Sequence, residues 1–409
     1  MQGWMLTLLT EGISSKAQFR RIVLPLAVAE TLIWAAFYYI FPALLLTWEQ
    51  DLGWSKTELA GAFTLCLISS ALSAPLAGRI IDHGRGRELF VGSAAFGCVL
   101  MFGLCLVQHM WQFYVIWVLM GTVMSCCLYE PCFAILTRAM GPEAKRAITW
   151  VTLVAGFAGT VSFPSAHILV EWSGWRMAVG MLAGMVLLVA VPLAWRALSV
   201  AAKHSIVHAA PASKRASEIT ALLQRPTFWL LAIAFAFPAL NHSALITHLL
   251  ALLDERGVAA ETAVLAASMI GPMQVAGRIA MIAAERYVST TVIAMACFIS
   301  VLGASLALLG AVAVPSLLFV FVVLQGAGWG TVSIVKPVII AELLGRKNFG
   351  LVSGLTAVPF MLAIAIAPTC AAVGWLFGGY ELVIWCAAAL TALGLIAFVG
   401  ALVAHRDET

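Results

Sequence analysis

Long apolar segments alternate with short polar segments along the whole chain, and each apolar segment is long enough to cross a bilayer. About 20 apolar residues in a helix span the ~30 Å hydrocarbon core, where only helices and closed barrels satisfy every backbone polar group. The pattern predicts twelve such helices, at residues 21–46, 57–80, 88–108, 111–138, 146–170, 176–198, 226–252, 262–284, 290–312, 315–341, 350–374 and 381–403. We therefore predict an all-α polytopic membrane protein.

Composition and charge agree with this interpretation. Of the residues, 63% are hydrophobic and only 10% are charged, which excludes a soluble protein. If both termini are cytoplasmic, only three basic residues, Lys56, Arg176 and Arg256, fall on the outer side. The excess of basic residues on the inner side orients the helices, so the net charge of +4 reflects topology and not nucleic-acid binding. We expect a protein of the plasma membrane (in bacteria, the inner membrane) with both termini in the cytoplasm.

Nothing in the sequence indicates an enzyme. All nine cysteines fall within predicted spans and form no CxxC pair, so we expect neither a disulfide framework nor a metal site. No phosphate-binding loop of the Walker type is present. We predict no catalytic residues and no cofactor, a lipid bilayer as surroundings, and a monomer as the functional unit.

The longest polar stretch, residues 199–225, divides the chain into an N-terminal six-helix bundle (1–198) and a C-terminal one (226–409), with the stretch itself as a cytoplasmic linker. The two halves share a local feature, because Glu130-Pro131 in the fourth span matches Lys336-Pro337 in the tenth. Two parallel six-helix repeats resemble the architecture of the major facilitator superfamily.

The loop between the second and third spans, GRIIDHGRGRE, is similar to the signature loop of that superfamily. In the signature loop of that superfamily, an aspartate and basic residues hold the cytoplasmic ends of neighbouring helices together. It implies a gating role for Asp82, Arg85 and Arg87, with Asp82 and Arg87 paired in one conformation and apart in the other. The glycine and the arginine that follow the aspartate lie one residue later than in the family pattern. The alternative is an ordinary charged turn.

Four ionisable residues lie inside predicted spans: Glu30, Glu130, Arg278 and Lys336. Each costs about 2.5–3.5 kcal/mol on insertion scales, so each is a candidate for function. They are eight to ten residues from the inner end of their spans, or roughly 12–15 Å at 1.5 Å per residue, which puts them near one level. We predict that Arg278, Lys336 and Glu130 bind substrate and that Glu30 and Glu130 take part in coupling. Structural ion pairs and snorkelling side chains are the alternatives.

The seventh span adds Asn241 and His242 to these candidates. Pro238 removes a backbone hydrogen bond four residues before His242 and so loosens the helix there. We predict that both residues bind substrate and that His242 also carries a proton, although a histidine bonded to a neighbouring carbonyl is the more common case in helix bundles.

Several short motifs resemble bacterial relatives of the monocarboxylate porters and, more loosely, the oxalate/formate-type antiporters. These motifs are YIFP (39–42), LGWSKTE (52–58), KRAITWVTLVAGFAG (145–159), RPTFW (225–229) and IGPMQVAGR (270–278). The last motif implies that Arg278 binds the substrate carboxylate. Two positions depart from the family, because Gln274 replaces an acid used in proton coupling and Ala43 replaces a lysine.

The resemblance implies a secondary transporter that moves a small organic anion, a monocarboxylate, by alternating access, with protons or a second anion as the coupling species. Two other functions stay open. Soft ligands at helical spacing suit a copper-type transition-metal carrier; they are Met120, Met124, Cys126, Cys127, Cys132, Met269 and Met273. Export of a drug or metabolite is the other. Substrate identity and direction of transport are not given by the sequence.

Overall fold

The computed structural model describes residues 19–203, 220–346 and 349–408. These residues are helical nearly throughout and include no strand. Nine helical runs within them are long and apolar enough to cross a membrane. They are Phe19–Leu52, Thr57–Leu104, Met110–Met140, Ala144–Ala202, Pro226–Glu255, Glu261–Ala284, Thr290–Gly310, Leu317–Leu343 and Phe349–Glu408. Most of the predicted linker, at 204–219, lies outside the described residues, as do residues 1–18.

Three of these runs are interrupted by glycine in a non-helical conformation. The breaks are at Gly84 (φ 83°), at Gly174 (φ 77°) and at Gly378 and Gly379, the last with φ 66°. A positive φ is readily available only to glycine, so a helix can turn back there. An unbroken helix of 48 residues, the length of Thr57–Leu104, would extend ~72 Å, far more than a bilayer. Each break falls in a predicted loop. The all-α membrane fold is confirmed, and nine runs with three internal breaks are consistent with twelve spans.

We label the helical segments on each side of these breaks separately, in chain order. In the first half they are α1 (Phe19–Leu52), α2 (Lys56–Ile80), α3 (Gly86–Leu104), α4 (Met110–Met140), α5 (144–173) and α6 (175–202). In the second half they are α7 (Pro226–Glu255), α8 (Ala260–Ala284), α9 (Thr290–Gly310), α10 (Leu317–Leu343), α11 (349–377) and α12 (380–408).

By backbone contacts the chain forms two compact units. The first comprises Met1–His208 together with Asn348–Leu351, and the second comprises Ala209–Lys347 together with Val352–Thr409. The boundary near residue 208 falls in the segment that is not described, so the predicted limits of the domains and linker stay a prediction.

Two irregularities shape the first unit near its intramembrane acids. Helix α1 widens into a π-turn at Trp34–Tyr38, one turn after Glu30, and the hydroxyl of Ser162 donates to the backbone oxygen of Ala35 at 2.8 Å. Helix α4 is broken at Leu128, whose backbone is extended (φ −102°, ψ −156°). Pro131 has no N–H to donate to the preceding turn, which allows the helix to open there. Both irregularities position side chains that a regular helix would aim elsewhere.

In the second unit, glycines bring α8 and α10 into close contact. A Cβ atom at Gly326 would lie 2.5 Å from Cβ of Met273, and one at Gly330 would lie 2.4 Å from the backbone oxygen of Gln274. A Cβ atom at Gly277, on the other helix, would lie 2.4 Å from the backbone oxygen of Ala327. Small residues spaced by four let membrane helices approach backbone to backbone. This packing fixes the surroundings of Arg278.

Candidate functional site

The buried charges of the described residues differ in sign between the two units. Glu30 and Asp82 are the buried acids, and both belong to the first unit. Arg278 and Lys336 are the buried bases, and both belong to the second unit. Each of these charges is expensive to keep in an apolar interior, so each needs a structural or a functional explanation.

Glu30 is fully buried on α1, and neither of its carboxylate oxygens has a hydrogen-bond partner among the described residues. The thiol of Cys132 and the indole of Trp34 face the carboxyl group at longer range. The indole nitrogen of Trp34 is buried and also lacks a partner. A carboxyl group in such a place is much less costly when it holds a proton than when it is ionised.

Aromatic rings surround the π-turn of α1. Trp34 packs on Tyr129 with ring centres 4.7 Å apart and on Tyr38 at 5.1 Å, and Tyr39 packs edge-on against Tyr38 at 5.2 Å. Glu130 follows Tyr129 directly after the break in α4, and its side chain is half-buried. Tyr129, the residue before Glu130, thus lies in the aromatic region that follows Glu30 on α1.

Arg278 is 5% exposed on α8, and its Nε donates to the backbone oxygen of Gly330 on α10 at 3.0 Å. The contact depends on the glycine packing, because any side chain at position 330 would separate the two helices. A planar guanidinium group that is always charged can present its other N–H groups to a carboxylate. The anion-binding role of Arg278 stays a prediction.

Lys336 is 3% exposed on α10, and its ammonium nitrogen lies 4.1 Å from the ring centre of Phe360 on α11. Phe360 is parallel to Trp329 within 5°, at 5.9 Å. Trp329 in turn stacks on His242 of α7 at 4.3 Å and 11°. The side chains of His242, Trp329, Phe360 and Lys336 thus form one column, which we call the aromatic column. The sequence did not predict it, because its members come from three helices that are distant in the chain.

The amide of Gln325 on α10 joins His242 to Asn241. Its nitrogen lies 3.2 Å from Nδ1 of His242 and donates to Oδ1 of Asn241 at 3.3 Å. Asn241 is fully buried and donates to the hydroxyl of Ser305 at 2.8 Å and to the backbone oxygen of Ala387 at 2.9 Å. Asn241 therefore holds α7 to α9 and α12, which is a structural position, whereas half-buried His242 is accessible. Gln325 was missed because a glutamine in an apolar span carries no motif.

The gating candidates lie in the loop between α2 and α3, and only one of them is at the centre of an interaction network. Asp82 is buried and accepts from Nη1 of Arg138 at 3.0 Å and from the backbone N–H groups of Gly350 and Leu351 at 3.1 and 2.8 Å. All four residues belong to the first unit. A carboxylate that accepts from the first turn of a helix is stabilised by the helix dipole. The partner of Asp82 in this structure is thus Arg138 and not Arg87.

The other two gating candidates have surface contacts. Arg87 pairs with Glu88 at 2.6 Å and lies over the ring of Trp195 at 4.5 Å, and Arg85 is exposed. Arg138 was not singled out in the sequence because it ends the fourth span, where a basic residue is expected from topology alone.

Two of the soft ligands of the metal hypothesis have packing contacts. Cys127 donates its thiol to the backbone oxygen of Val123 at 3.2 Å, and Cβ of Met273 lies against Gly326. Among the described residues, no three His, Cys, Asp or Glu side chains are grouped so that they could hold a metal ion.

Comparison with known proteins identifies the family. Residues 26–314 match the family described as the Major Facilitator Superfamily. Curated protein sequences include no significant match to this chain.

Solved structures share the fold over nearly the whole chain. A bacterial homologue of the iron transporter ferroportin, in an outward-facing state, has a TM-score of 0.75 at 15% identity, covering 94% of this chain and 99% of that chain. The fucose:proton symporter of E. coli has a TM-score of 0.71 at 14% identity, covering 93% and 99%. A human organic anion transporter has a TM-score of 0.67 at 15% identity, also covering 93% and 99%. At these identities the similarity shows the fold alone.

Proposed function

The chain belongs to the Major Facilitator Superfamily, a family of transporters, and from this premise we propose that it is a secondary transporter of a small organic anion with one carboxylate group. The observation that carries the proposal is the burial of two cationic side chains, Arg278 and Lys336, in a unit whose described residues include no buried acid. A buried positive charge favours an anion as ligand, and arginine offers a fork that matches a carboxylate.

The sequence motifs support the same substrate class. The motif IGPMQVAGR ends at Arg278, the position to which the resemblance to monocarboxylate porters assigns the carboxylate. In the structure this arginine lies against Gly330 of α10, six residues before Lys336 on the same helix. The related porters have a lysine where this chain has Ala43 in α1. Two cationic side chains for one carboxylate, Arg278 and Lys336, would supply the positive charge that this lysine provides.

Glu30 is our candidate for proton coupling, in place of the acid that Gln274 replaces. It is fully buried, it has no hydrogen-bond partner among the described residues, and it precedes a π-turn. Such turns are frequent at functional sites. When Glu30 loses its proton, the resulting charge is costly in this position, so protonation and conformation are linked. Glu130 and His242 are accessible and would relay the proton or contact the substrate.

Asp82 is our candidate for the gate. Its bonds to Arg138 and to the backbone of Gly350 and Leu351 involve the last turn of α4 and the first turn of α11. Alternating access requires cytoplasmic helix ends to come together and separate. We propose that these bonds form and break once in each transport cycle, in the plasma membrane and with both termini in the cytoplasm.

Uptake of labelled short carboxylates into proteoliposomes, with and without an inward proton gradient, tests the proposal. We expect accumulation when the gradient is present. Uptake that requires a preloaded anion would retain the substrate class and overturn the proton coupling. If folded protein carries no carboxylate in either format, the substrate class is wrong, and Cu(I) and lipophilic cations are the next probes.

A further inference from the structure

The aromatic column indicates what the transported carboxylate is attached to. Resting on the proposed function, we infer that the substrate is an aromatic carboxylate, in which a planar ring packs on the column while the carboxylate meets Lys336.

The rings of the column are nearly parallel to one another. His242 and Trp329 are parallel within 11°, and Trp329 and Phe360 within 5°. The column ends at a cation, because the ammonium group of Lys336 lies 4.1 Å from the ring centre of Phe360. Parallel π-faces next to a positive charge complement a ligand that combines a flat ring with a negative group.

The column is packed on one side and accessible on the other. Trp329 and Phe360 pack against a small cluster formed by Ala236, Ala239 and Ala363. His242, Trp329 and Phe360 are nevertheless half-buried and not buried.

This accessible side is not the lipid-facing surface. On α10 every residue from Leu324 to Ala341 is buried or half-buried. The half-buried surface of Trp329 therefore lies in a stretch of α10 without exposed residues.

Arg278 is bonded to the backbone of α10, the helix that carries Trp329 and Lys336. Its Nε bonds the oxygen of Gly330, the residue that directly follows Trp329. Lys336 is at the Phe360 end of the column. A ring bound on Phe360 would thus have a cation near it on α10.

The first unit has a comparable surface. Trp34, Tyr38, Tyr39 and Tyr129 are half-buried, and α1 has no exposed residue from Ala29 to Phe41. Their ring centres are 4.7 to 6.2 Å apart. A short aliphatic acid would leave the accessible rings of the column without a ligand contact.

Two acids of similar size separate ring recognition from carboxylate recognition. Benzoate and cyclohexanecarboxylate carry the same charged group on a six-membered ring, but only benzoate has a π-face. We expect uptake of labelled benzoate into proteoliposomes to have a KM about 3- to 10-fold lower than that of cyclohexanecarboxylate, the size of a stacking preference. Acetate and lactate should compete only weakly with benzoate.

Substitutions in the column provide the second arm of the test. Trp329→Leu should remove the preference for benzoate, and Trp329→Phe should retain most of it. Phe319→Leu is the matched control, because Phe319 is on the same helix but is 54% exposed, on the lipid-facing side. If Trp329→Leu does not fold, the comparison of Trp329→Phe with the parent protein and the two-acid comparison still decide the question.

The possible failures are distinguishable. Equal KM values for the two acids would overturn the inference and leave the proposed function intact. Transport of acetate or lactate without transport of benzoate would do the same. Absence of transport for every carboxylate would overturn both.

Discussion

Nε of Arg278 donates to the backbone oxygen of Gly330 at 3.0 Å, so the principal cation of the site is held by the backbone of a neighbouring helix. This bond exists because α8 and α10 approach backbone to backbone at three glycines, Gly277, Gly326 and Gly330. Local packing and the proposed chemistry therefore depend on the same contacts. Adding one methyl group at one of these glycines should therefore affect both the stability of the protein and its transport activity.

Gly330→Ala tests that dependence. The added Cβ would lie 2.4 Å from the backbone oxygen of Gln274 and 2.6 Å from its Cα, and a backbone cannot yield as a flexible side chain can. We expect a loss of about 1–3 kcal/mol in stability, as for other overpacked cores, and a large reduction of transport. Thermal unfolding in detergent and uptake of the carboxylate panel measure the two effects.

Gly271→Ala is the matched control, since Gly271 is on α8 and a Cβ there has nothing within 4 Å. It should be as stable and as active as the parent protein. Full transport by Gly330→Ala would show that Arg278 does not need this close approach.

Glu30→Gln tests the coupling role. Glutamine resembles a protonated glutamate in size and polarity, so the buried position should tolerate it, but it cannot release a proton. We expect the variant to lose accumulation driven by a proton gradient and to retain exchange of labelled for unlabelled substrate. Gradient-driven accumulation by Glu30→Gln at the parent level would remove Glu30 from the mechanism.

The gate is tested by comparing two arginines near Asp82. Arg138→Lys should slow transport by tenfold or more, because one ammonium group cannot reproduce the bonds that Nη1 of Arg138 makes to the Asp82 carboxylate and to its backbone oxygen. Arg87→Lys should change little, since the ion pair with Glu88 is solvent-exposed and such pairs are worth about 0–1 kcal/mol.

Substrate binding in detergent should be nearly the same in both variants, because neither position is near Arg278 in the chain or in the same unit. The reverse ranking in transport would identify Arg87 as the residue that matters for the gate.

Gln325→Met separates the role of His242 from that of Asn241. The substitution removes the amide that faces Nδ1 of His242 and the donor to Oδ1 of Asn241. A buried acceptor left without a partner costs about 1–3 kcal/mol, so stability should fall, and KM should rise because His242 is no longer oriented.

Ser305→Ala removes a partner of Asn241 and a bond to the backbone oxygen of Val301, and it leaves the amide that faces His242 in place. It should lower stability with little change in KM. If both variants shift KM equally, the network acts through the helices as a whole and His242 has no special part.

The arrangement along the chain could be predicted from the sequence, whereas most contacts between helices could not. The apolar pattern predicts the spans and loops, and Gly84, Gly174 and Gly379 turn the chain inside three predicted loops. The burial of Glu30, Arg278 and Lys336 also agrees with their places within spans. In these cases the physical cause acts locally, through bilayer thickness and backbone freedom.

The partners of these residues depend on helix rotation and packing, which a membrane sequence encodes weakly because both lipid-facing and buried positions are apolar. Arg138, Gln325 and the aromatic column were missed for this reason. A further similarity between the two units was missed for the same reason. Trp175 donates its indole N–H to Asp51 at 2.6 Å in the first unit, and Trp375 donates to Glu255 at 2.7 Å in the second.

The most direct test of the central claim is carboxylate uptake by Arg278→Lys alongside Arg286→Lys, in proteoliposomes that contain equal amounts of folded protein. Arg286 lies two residues beyond the end of α8, and its side chain is exposed. Lysine keeps the charge at position 278 but loses the planar fork and the Nε donor to Gly330. We predict that Arg278→Lys abolishes uptake and that Arg286→Lys transports as the parent does. Uptake by Arg278→Lys at the parent level would contradict the assignment of the anion site.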